Sequence, residues 1–278
     1  MQDVRIAVVQ MTCLVGDAEG NIARMEQFLN DAATDRVDLV CFPELSVHGY
    51  TAGDSGASTP EPIPGPSTEA LAGIARRLGI TFLAGLLEED VSGIVYNTQV
   101  VFGPQGTVGS YRKTHVPTSE IGTWSCGSDI PAFEHPKVHY GIEICYDAHF
   151  PEVSTILAER GAEILFMPHS SGVGSSAADK KTGWLRFIPA RALDNTVYVA
   201  VCNQVGDNGA GKIFSGGSFI CNPRGEVIAE SSTTSEEIVV ADLKGGDLAK
   251  ARAFADGFFR HFRRPEIYDR DFRTGHNA

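Results

Sequence analysis

The sequence has few cysteines, and it lacks the spacings that are typical of a disulfide framework or a zinc site. Its 278 residues include six cysteines, and no two of them form a Cys-x-x-Cys pair. The eight histidines include no His-Glu-x-x-His motif. These absences argue against a disulfide-stapled secreted fold and against a zinc site of the usual spacing. We therefore expect reduced thiols, no metal and no cofactor.

Positive charge and long apolar runs are also scarce. The chain has 23 basic and 35 acidic residues, for a formal net charge of -12. A nucleic-acid-binding protein normally carries a basic surface, and anionic membranes attract basic ones, so we expect neither partner. No apolar run approaches the length of a membrane span, and the first ten residues lack the features of a secretory signal. We expect a cytoplasmic globular protein.

Strands alternate with helices in each half of the chain. Apolar residues recur at helical spacing in 17–35, in 68–78 with Ser67 as the predicted N-cap, and in 184–193. Segments 46–66 and 168–179 are rich in glycine, serine and threonine, which predicts long loops. The predicted strands are 1–10, 37–42, 80–87, 94–102, 107–112, 138–144, 164–167, 197–202, 214–221, 227–229 and 238–243.

The pattern predicts one α/β domain that spans residues 1–278. It is a single domain because no shift in composition marks a domain boundary. The alternation of strands and helices indicates two sheets with helices outside them. Residues from about 254 onward mix aromatic side chains and arginines without clean periodicity. We expect them to form an arm that lies on another surface.

The segment 141–152 changes from strand to helix around Cys145. Ile142 and Ile144 continue a strand alternation, whereas Pro151 and Glu152 are typical of a first helical turn. A thiol at such a junction lies close to the N–H groups that open a helix, and these favour thiolate over thiol. Cys145 is therefore the candidate nucleophile.

Two further reactive side chains follow predicted strands. Glu44 comes after 37–42, Lys113 comes after 107–112, and open α/β sheets place their sites at such strand ends. A carboxylate can accept the proton of a thiol, and a lysine can stabilise an oxyanion. Each signal is weak alone, but Glu44, Lys113 and Cys145 together predict nucleophilic catalysis.

Three motifs in order carry a resemblance to a known family. They are Phe-Pro-Glu ending at Glu44, Tyr-Arg-Lys-Thr-His around Lys113, and Ile-Cys-Tyr-Asp-Ala-His-Phe-Pro-Glu around Cys145. The chain resembles the nitrilase superfamily of carbon–nitrogen hydrolases from end to end. The resemblance implies an α-β-β-α sandwich and a Glu-Lys-Cys triad, with Glu120 as a second glutamate in the site. It also implies homodimers or larger homo-oligomers, in which two sandwiches stack into a four-layer αββα-αββα arrangement.

The resemblance also implies a mechanism without a cofactor. Glu44 would act as the base, and Cys145 would attack the carbonyl carbon of an amide. The Lys113 ammonium and the backbone N–H of Tyr146 would hold the oxyanion. A thioester acyl-enzyme would follow, with release of ammonia.

The residues after the nucleophile indicate which branch of the superfamily the chain resembles. Cys145-Tyr146-Asp147 is similar to amidases and carbamoylases, whereas nitrilases have Cys-Trp-Glu. Some carbamoylases have Arg-Arg where this chain has Ala148-His149. We therefore expect hydrolysis of a small linear amide; an N-carbamoyl substrate is the alternative, and a nitrile is less favoured. We assign no catalytic role to His149.

Other interpretations stay open at this stage. Glu143, on the strand face predicted for Cys145, either touches the pocket wall or pairs with a neighbouring backbone group. A binding protein that lost turnover is a different class of function, but it would not need all three triad residues. A glutaminase that feeds a separate synthetase is also conceivable.

Overall fold

Two six-stranded sheets form the centre of the protein. The computed structural model describes residues 1–51, 58–172 and 176–274. The first sheet contains β1 (Val4–Gln10), β2 (Leu39–Cys41), β3 (Thr81–Glu89), β4 (Val95–Gly103), β5 (Gly106–Arg112) and β14 (Glu237–Leu243). The second contains β6 (Ala132–His135), β7 (Val138–Ile142), β8 (Ile164–His169), β9 (Tyr198–Asn203), β12 (Phe219–Cys221) and β13 (Val227–Glu230). A separate hairpin joins β10 (Val205–Asp207) to β11 (Ile213–Ser215).

Both sheets follow the same plan. The parallel strands β1, β2 and β3 are central in the first sheet, and β7, β8 and β9 are central in the second. Antiparallel strands flank each parallel set. Because parallel strands end at one edge of their sheet, each half offers a row of strand ends for a site.

Helices cover the outer face of each sheet. On the first sheet lie α1 (Ala18–Thr34) and α2 (Pro66–Leu78), and on the second lie α3 (Pro151–Glu159), α4 (Ala177–Trp184) and α5 (Ile188–Asn195). Two helices close the described chain, α6 (Gly245–Ala253) and α7 (Pro265–Thr274). None of the helices in the described ranges has the length and apolar character needed to cross a membrane.

Apolar side chains form the core in three layers. Ile6, Val8, Tyr140 and Phe166 are buried between the two sheets. Separate clusters fill the space between each sheet and its helices. This arrangement confirms the predicted α-β-β-α sandwich. The stacking of two sandwiches and the extent of the domain stay predictions.

Helix α1 follows the predicted pattern closely. Met25, Leu29 and Ala32 are buried at spacings of four and three residues, as an amphipathic helix requires. The Asp17 carboxylate accepts a hydrogen bond from the N–H of Gly20 at 3.0 Å, which caps the helix start. The prediction for 17–35 is confirmed.

Several boundaries were wrong, and proline or glycine explains most of them. Ser67 is not the N-cap of α2: Gly65 takes that position, because Pro66 suits the first helical turn. The helix predicted at 184–193 is divided between α4 and α5, and Pro189 opens α5. Part of the loop predicted at 168–179 is α4 itself. The strand predicted at 214–221 breaks at Gly216 and Gly217, which have φ of 70° and 94°.

The remaining differences concern the two predicted loops and the C-terminal region. Residues 52–57 and 173–175 of the two predicted loops lie outside the described residues, as do 275–278 of the arm. The region from 254 onward contains regular structure that its sequence did not predict. Two 3₁₀ turns (Ala255–Gly257 and Phe259–Phe262) precede α7.

Candidate active site

Glu44 follows β2 and is fully buried. Its Oε1 accepts hydrogen bonds from Asn97 Nδ2 at 2.7 Å and from Lys113 Nζ at 2.8 Å. Its Oε2 accepts from the backbone N–H of Ser170 at 2.7 Å. A buried carboxylate needs such partners because desolvation of a charge is costly. The three donors fix the orientation of this carboxylate from both sheets.

Lys113 follows β5, and its ammonium bridges two carboxylates. Its Nζ donates to Glu44 and, at 2.8 Å, to Oε2 of Glu120. Burial alone would lower the pKa of Lys113, but the negative charges of Glu44 and Glu120 outweigh it and raise the pKa. The lysine therefore remains a cation at neutral pH and cannot serve as the general base.

Glu120 lies in the same cluster, where the sequence expectation put it. Its Oε1 accepts a hydrogen bond from the hydroxyl of Tyr50 at 2.6 Å, and only 2% of the residue is exposed. Burial raises the pKa of Glu120, the Glu44 charge adds to the rise, and Lys113 opposes it. The cluster thus holds two carboxyl groups around one ammonium.

Cys145 lies at a sharp change of direction after β7. Its φ is 49°, in the left-handed region that non-glycine residues seldom adopt, at a cost of about 1–2 kcal/mol. A 3₁₀ turn (Cys145–His149) starts at this residue, and α3 begins at Pro151. The predicted junction is confirmed, and the backbone carries strain at the candidate nucleophile.

The expected preference for thiolate at Cys145 is wrong for the resting site. Burial raises the pKa of this thiol well above its ordinary value, and the negative charge of Glu44 adds to the rise. Lys113 and the backbone N–H of Ser170 oppose the rise without cancelling it. The five-residue 3₁₀ turn is also too short to offer a strong helix dipole. The thiol is therefore protonated until a base removes the proton.

Asp147 ties the cysteine turn to the lysine loop, a role that sequence reasoning missed. Its carboxylate accepts from Tyr111 Oη at 2.7 Å and from the N–H groups of Ile144 at 3.0 Å and His115 at 2.8 Å. Thr114 Oγ1 also donates to it at 2.9 Å. These bonds connect the end of β5 in one sheet to the end of β7 in the other. The Cys-x-Asp motif was the available signal, but it had been used only to assign the branch.

Two histidines close in sequence to the lysine and the cysteine have packing partners. His115 stacks on Phe150, with ring centroids 3.8 Å apart, and lies 3.0 Å from an oxygen of Asp147. His149 stacks on Phe187 at 4.4 Å, and burial lowers its pKa. Tyr146, whose N–H was expected to hold the oxyanion, directly follows the nucleophile, and 37% of the residue is exposed.

Glu143 and Cys145 lie on different faces, although strand alternation predicts that they share one. Cys145 packs against the core between the sheets, whereas Glu143 Oε1 accepts from Ser154 Oγ of α3 at 2.7 Å. Strand alternation ends at Ile142, so the chain turns before Cys145. Neither sequence interpretation of Glu143 is correct, because its partner is a side chain on the helix side. Burial raises its pKa to about 8.

A buried base, a cation and a protonated thiol meet where the two sheets join. Glu44 and Lys113 come from the first sheet, and Cys145 comes from the second. Proton removal by a carboxylate and charge stabilisation by an ammonium are what a thiol needs for attack on a carbonyl carbon. The fold and this site define a cysteine-dependent hydrolase.

Comparisons with known proteins agree. The family model for carbon-nitrogen hydrolase matches residues 5–253. The omega-amidase NIT2 of Homo sapiens is 33% identical over 262 residues, which cover 91% of this chain and 92% of the relative. A nitrilase of Pyrococcus abyssi is 32% identical over 244 residues, covering 86% and 89%. The protein belongs to the carbon-nitrogen hydrolase family, the nitrilase superfamily, and is a hydrolase that acts on amides.

Solved structures share the fold. Nit3 of Saccharomyces cerevisiae superposes with a TM-score of 0.81 at 26% identity, over 91% of this chain and 94% of that one. An amidase of Nesterenkonia sp. AN1 in complex with acrylamide gives a TM-score of 0.81 at 23% identity, over 96% and 97%. The second likeness concerns the fold alone.

Proposed function

We propose that the protein hydrolyses a small linear amide through a thioester on Cys145, with Glu44 as the base and Lys113 as the oxyanion cation. The observation that carries this proposal is the buried ion pair between Glu44 and Lys113, 2.8 Å long, beside the Cys145 thiol. Relatives named omega-amidase, and the Nesterenkonia amidase known in complex with butyramide and acrylamide, support an amide as the substrate.

Acylation starts from the protonated thiol. Glu44 accepts the proton while the sulfur of Cys145 attacks the carbonyl carbon, and the π electrons of the carbonyl move to its oxygen. Lys113 and the backbone N–H of Tyr146 donate hydrogen bonds to that oxyanion. Glu44 then returns the proton to the amide nitrogen, the C–N bond breaks, and ammonia leaves.

Deacylation uses the same groups in the second half of the cycle. Glu44 accepts a proton from water, the water oxygen attacks the thioester carbon, and the same two donors hold the second oxyanion. The C–S bond breaks, the sulfur of Cys145 recovers the proton, and a carboxylic acid leaves. Glu120 contacts Lys113 and fixes its position, so we assign it to positioning the oxyanion cation.

The proposal includes assembly into homodimers or larger homo-oligomers. Large apolar side chains are exposed on α3, on and before α5, and in the region after 254; they are Ile156, Leu185, Leu193, Phe254, Phe259 and Phe262. Exposed apolar groups of this kind mark protein interfaces. We place the partner copy on this surface, with the residues from about 254 as the arm that crosses it.

We also place the enzyme in the cytoplasm. All six cysteines lie within the described residues, and each is a free thiol. Catalysis requires Cys145 in its reduced state, which a reducing compartment maintains. Cys126 is exposed, and an oxidising compartment would leave it open to disulfide formation.

Intact-mass measurement tests the proposed function. The enzyme is mixed with a panel of linear amides, N-carbamoyl compounds and nitriles of matched acyl length, and the reaction is quenched in acid within its first turnover. We expect an acyl adduct and ammonia release with amides. Cys145→Ala should form no adduct, whereas the control Cys126→Ala should form it normally. Ammonia release by Cys145→Ala above a few per cent of the normal rate would refute the assignment.

The panel also separates the alternatives. Preference for N-carbamoyl compounds would identify a carbamoylase, and preference for nitriles would identify a nitrilase. A protein that binds the amides without any adduct or ammonia would be a binding protein.

A further inference from the structure

Two hydrogen bonds from the second sheet hold the main-chain carbonyl of Glu44. Ser170 Oγ donates to this oxygen at 2.6 Å, and Gln204 Nε2 donates to it at 2.9 Å. Ser170 follows β8 and Gln204 follows β9, whereas Glu44 follows β2 in the first sheet. Other donors hold the Glu44 carboxylate, but these two hold the backbone that carries it. We call the Ser170 hydroxyl and the Gln204 amide the carbonyl clamp.

The carbonyl clamp is a closed set of hydrogen bonds. Gln204 Nε2 also donates to Ser170 Oγ at 2.7 Å, so both of its N–H groups are used. The other amide atom, Gln204 Oε1, is buried and has no hydrogen-bond partner in the described ranges. Reversal of the amide would bring this oxygen against the Glu44 carbonyl, where two acceptors would repel each other. The Glu44 carbonyl therefore determines the orientation of Gln204.

The backbone next to Glu44 needs such support because it is strained. Leu45 has a φ of 51°, in the left-handed region, and residues keep such a conformation only where their surroundings impose it. On the side of β3, Gly85 packs so closely that a Cβ there would lie 2.4 Å from the nitrogen of Leu45. The peptide between Glu44 and Leu45 is thus confined by its own sheet and by the clamp from the other sheet.

The two clamp residues are themselves held in place. Gln204 forms a parallel bridge with Met11 after β1, and its main-chain oxygen accepts from the N–H of Gly216 at 3.0 Å. The residue after Ser170, Ser171, exchanges two 2.9 Å hydrogen bonds with the Asn203 side chain. Ser170 and Gln204 are at most 5% exposed, so water does not compete for their bonds. A rigid support of this kind keeps reacting groups in a fixed geometry.

The N–H of Ser170 serves both the base and the nucleophile. It donates to Glu44 Oε2 at 2.7 Å, and it also lowers the pKa of the Cys145 thiol, which faces the charges of Glu44, Lys113 and Glu120. When the thiol proton moves to Glu44, negative charge leaves the carboxylate and develops on the sulfur. A donor shared by both atoms stabilises the charge in either place without rearrangement.

We infer that Ser170 and Gln204 are positioning residues that set the efficiency of proton transfer from Cys145 to Glu44. This inference rests on the proposed amide hydrolysis and specifies what its base depends on. Without the clamp, the backbone at Leu45 relaxes, and the Glu44 carboxylate and the Ser170 N–H lose their common alignment with the sulfur. Acylation then slows, whereas binding of the amide changes little.

Steady-state kinetics test the clamp from both of its sides. Ser170→Ala removes the hydroxyl, and Gln204→Met removes both N–H donors while it keeps the length of the side chain. With butanamide, or the most reactive linear amide of the panel above, we expect each variant to lower kcat at least about tenfold and to keep KM within about twofold. Ser170→Thr keeps the hydroxyl and should retain most of the activity.

Alkylation of Cys145 gives a readout that a loss of stability alone would not change. N-ethylmaleimide is added over a range of pH, and mass spectrometry of peptides measures the modification of each cysteine. In Ser170→Ala and Gln204→Met, alkylation of Cys145 at pH 7 should slow at least about tenfold, and its pH profile should move upward, because the thiolate has lost a donor. Cys126 is exposed and serves as the internal control, with an unchanged rate.

Ser58→Ala is the matched control variant. The Ser58 hydroxyl is also buried, and it also donates to a main-chain oxygen, that of His48, at 2.7 Å. This variant should lower the melting temperature as Ser170→Ala does. It should keep the wild-type kcat and the wild-type alkylation of Cys145.

The outcomes separate the clamp from the proposed function. Wild-type kcat and wild-type alkylation of Cys145 in both Ser170→Ala and Gln204→Met would overturn the inference and leave the amidase proposal intact. So would a loss confined to KM, or an equal loss of kcat in Ser58→Ala. Gln204→Met leaves Ser170 in place, so the test does not depend on the folding of one variant. Absence of ammonia and of a Cys145 adduct with every amide would instead refute the proposed function, and the alkylation rates would still test the clamp.

Discussion

Glu143 offers a quantitative test of how burial acts on a single carboxyl group. The residue is fully buried, its Oε1 accepts from Ser154, and its Oε2 has no hydrogen-bond partner within the described part of the chain. Burial raises its pKa from 4.5 to about 8; the bond from Ser154 lowers it, Asp147 raises it further, and Arg191 lowers it. We predict that Glu143→Gln flattens the pH dependence of stability.

The sign and size of the effect follow from proton linkage. The folded state holds the Glu143 proton more tightly than the unfolded chain does. The corresponding stability is therefore complete below about pH 4.5 and is lost as pH rises towards 8. Between pH 5 and pH 7 this group should remove roughly 2–3 kcal/mol of unfolding free energy from the wild-type protein. Glutamine does not titrate, so the variant should escape that loss.

Urea denaturation at several pH values measures the difference. Glu143→Gln keeps an acceptor for Ser154 but buries an amide, so its absolute stability can shift by a constant, whereas the slope against pH carries the prediction. The control is Glu134→Gln, an exposed carboxyl on β6, which should follow the wild-type slope. Parallel curves for Glu143→Gln and the wild-type protein would refute the argument that Glu143 is neutral when folded.

Three further predictions follow from the site. Lys113→Met keeps the bulk of the side chain but removes the oxyanion cation, so kcat/KM for an amide should fall at least about a hundredfold in an ammonia-release assay; normal turnover there, with an inactive His149→Ala, would indicate a Cys-His enzyme instead. Asp147→Asn turns an amide N–H towards existing donors and should lower the unfolding free energy by about 1–3 kcal/mol in denaturant titration. Asp129→Asn, on the surface, is the control. Equal stability of the two variants would contradict the role of Asp147 in tying the cysteine turn to the lysine loop. Excess chelator should leave the initial rate unchanged, because side chains carry the chemistry, whereas alkylation of Cys145 should abolish it; inactivation reversed by added zinc would show a metal requirement.

Strand ends made the main site residues accessible to prediction. Glu44, Lys113 and Cys145 each follow a segment that reads as a strand, and strands that run in the same direction bring such ends to one edge of a sheet. Helix α1 was also predictable from local sequence, because its apolar residues recur at helical spacing and its cap, Asp17, directly precedes it. Local signals therefore specified the elements and the triad candidates.

Long-range packing determined what could not be predicted. Ser170 lies 126 positions from Glu44 in the chain, yet its N–H orients that carboxylate. The raised pKa of Cys145 depends on burial and on Glu44, neither of which a local motif contains. Cys145 was assigned to the same face as Glu143, because the sequence does not show that the alternation ends before Cys145. Such properties arise only when the two sheets pack together.

The division of the site between two sheets has a consequence for how the enzyme acquires its activity. Glu44 and Lys113 belong to one half of the chain, whereas Cys145 and the N–H of Ser170 belong to the other. Each sheet can complete its own backbone hydrogen bonds without forming a catalytic centre. During refolding, amide turnover should therefore return with the docking of the two sheets and lag behind the recovery of far-ultraviolet circular dichroism. Activity in this protein reports assembly of the sandwich, and secondary structure alone does not produce it.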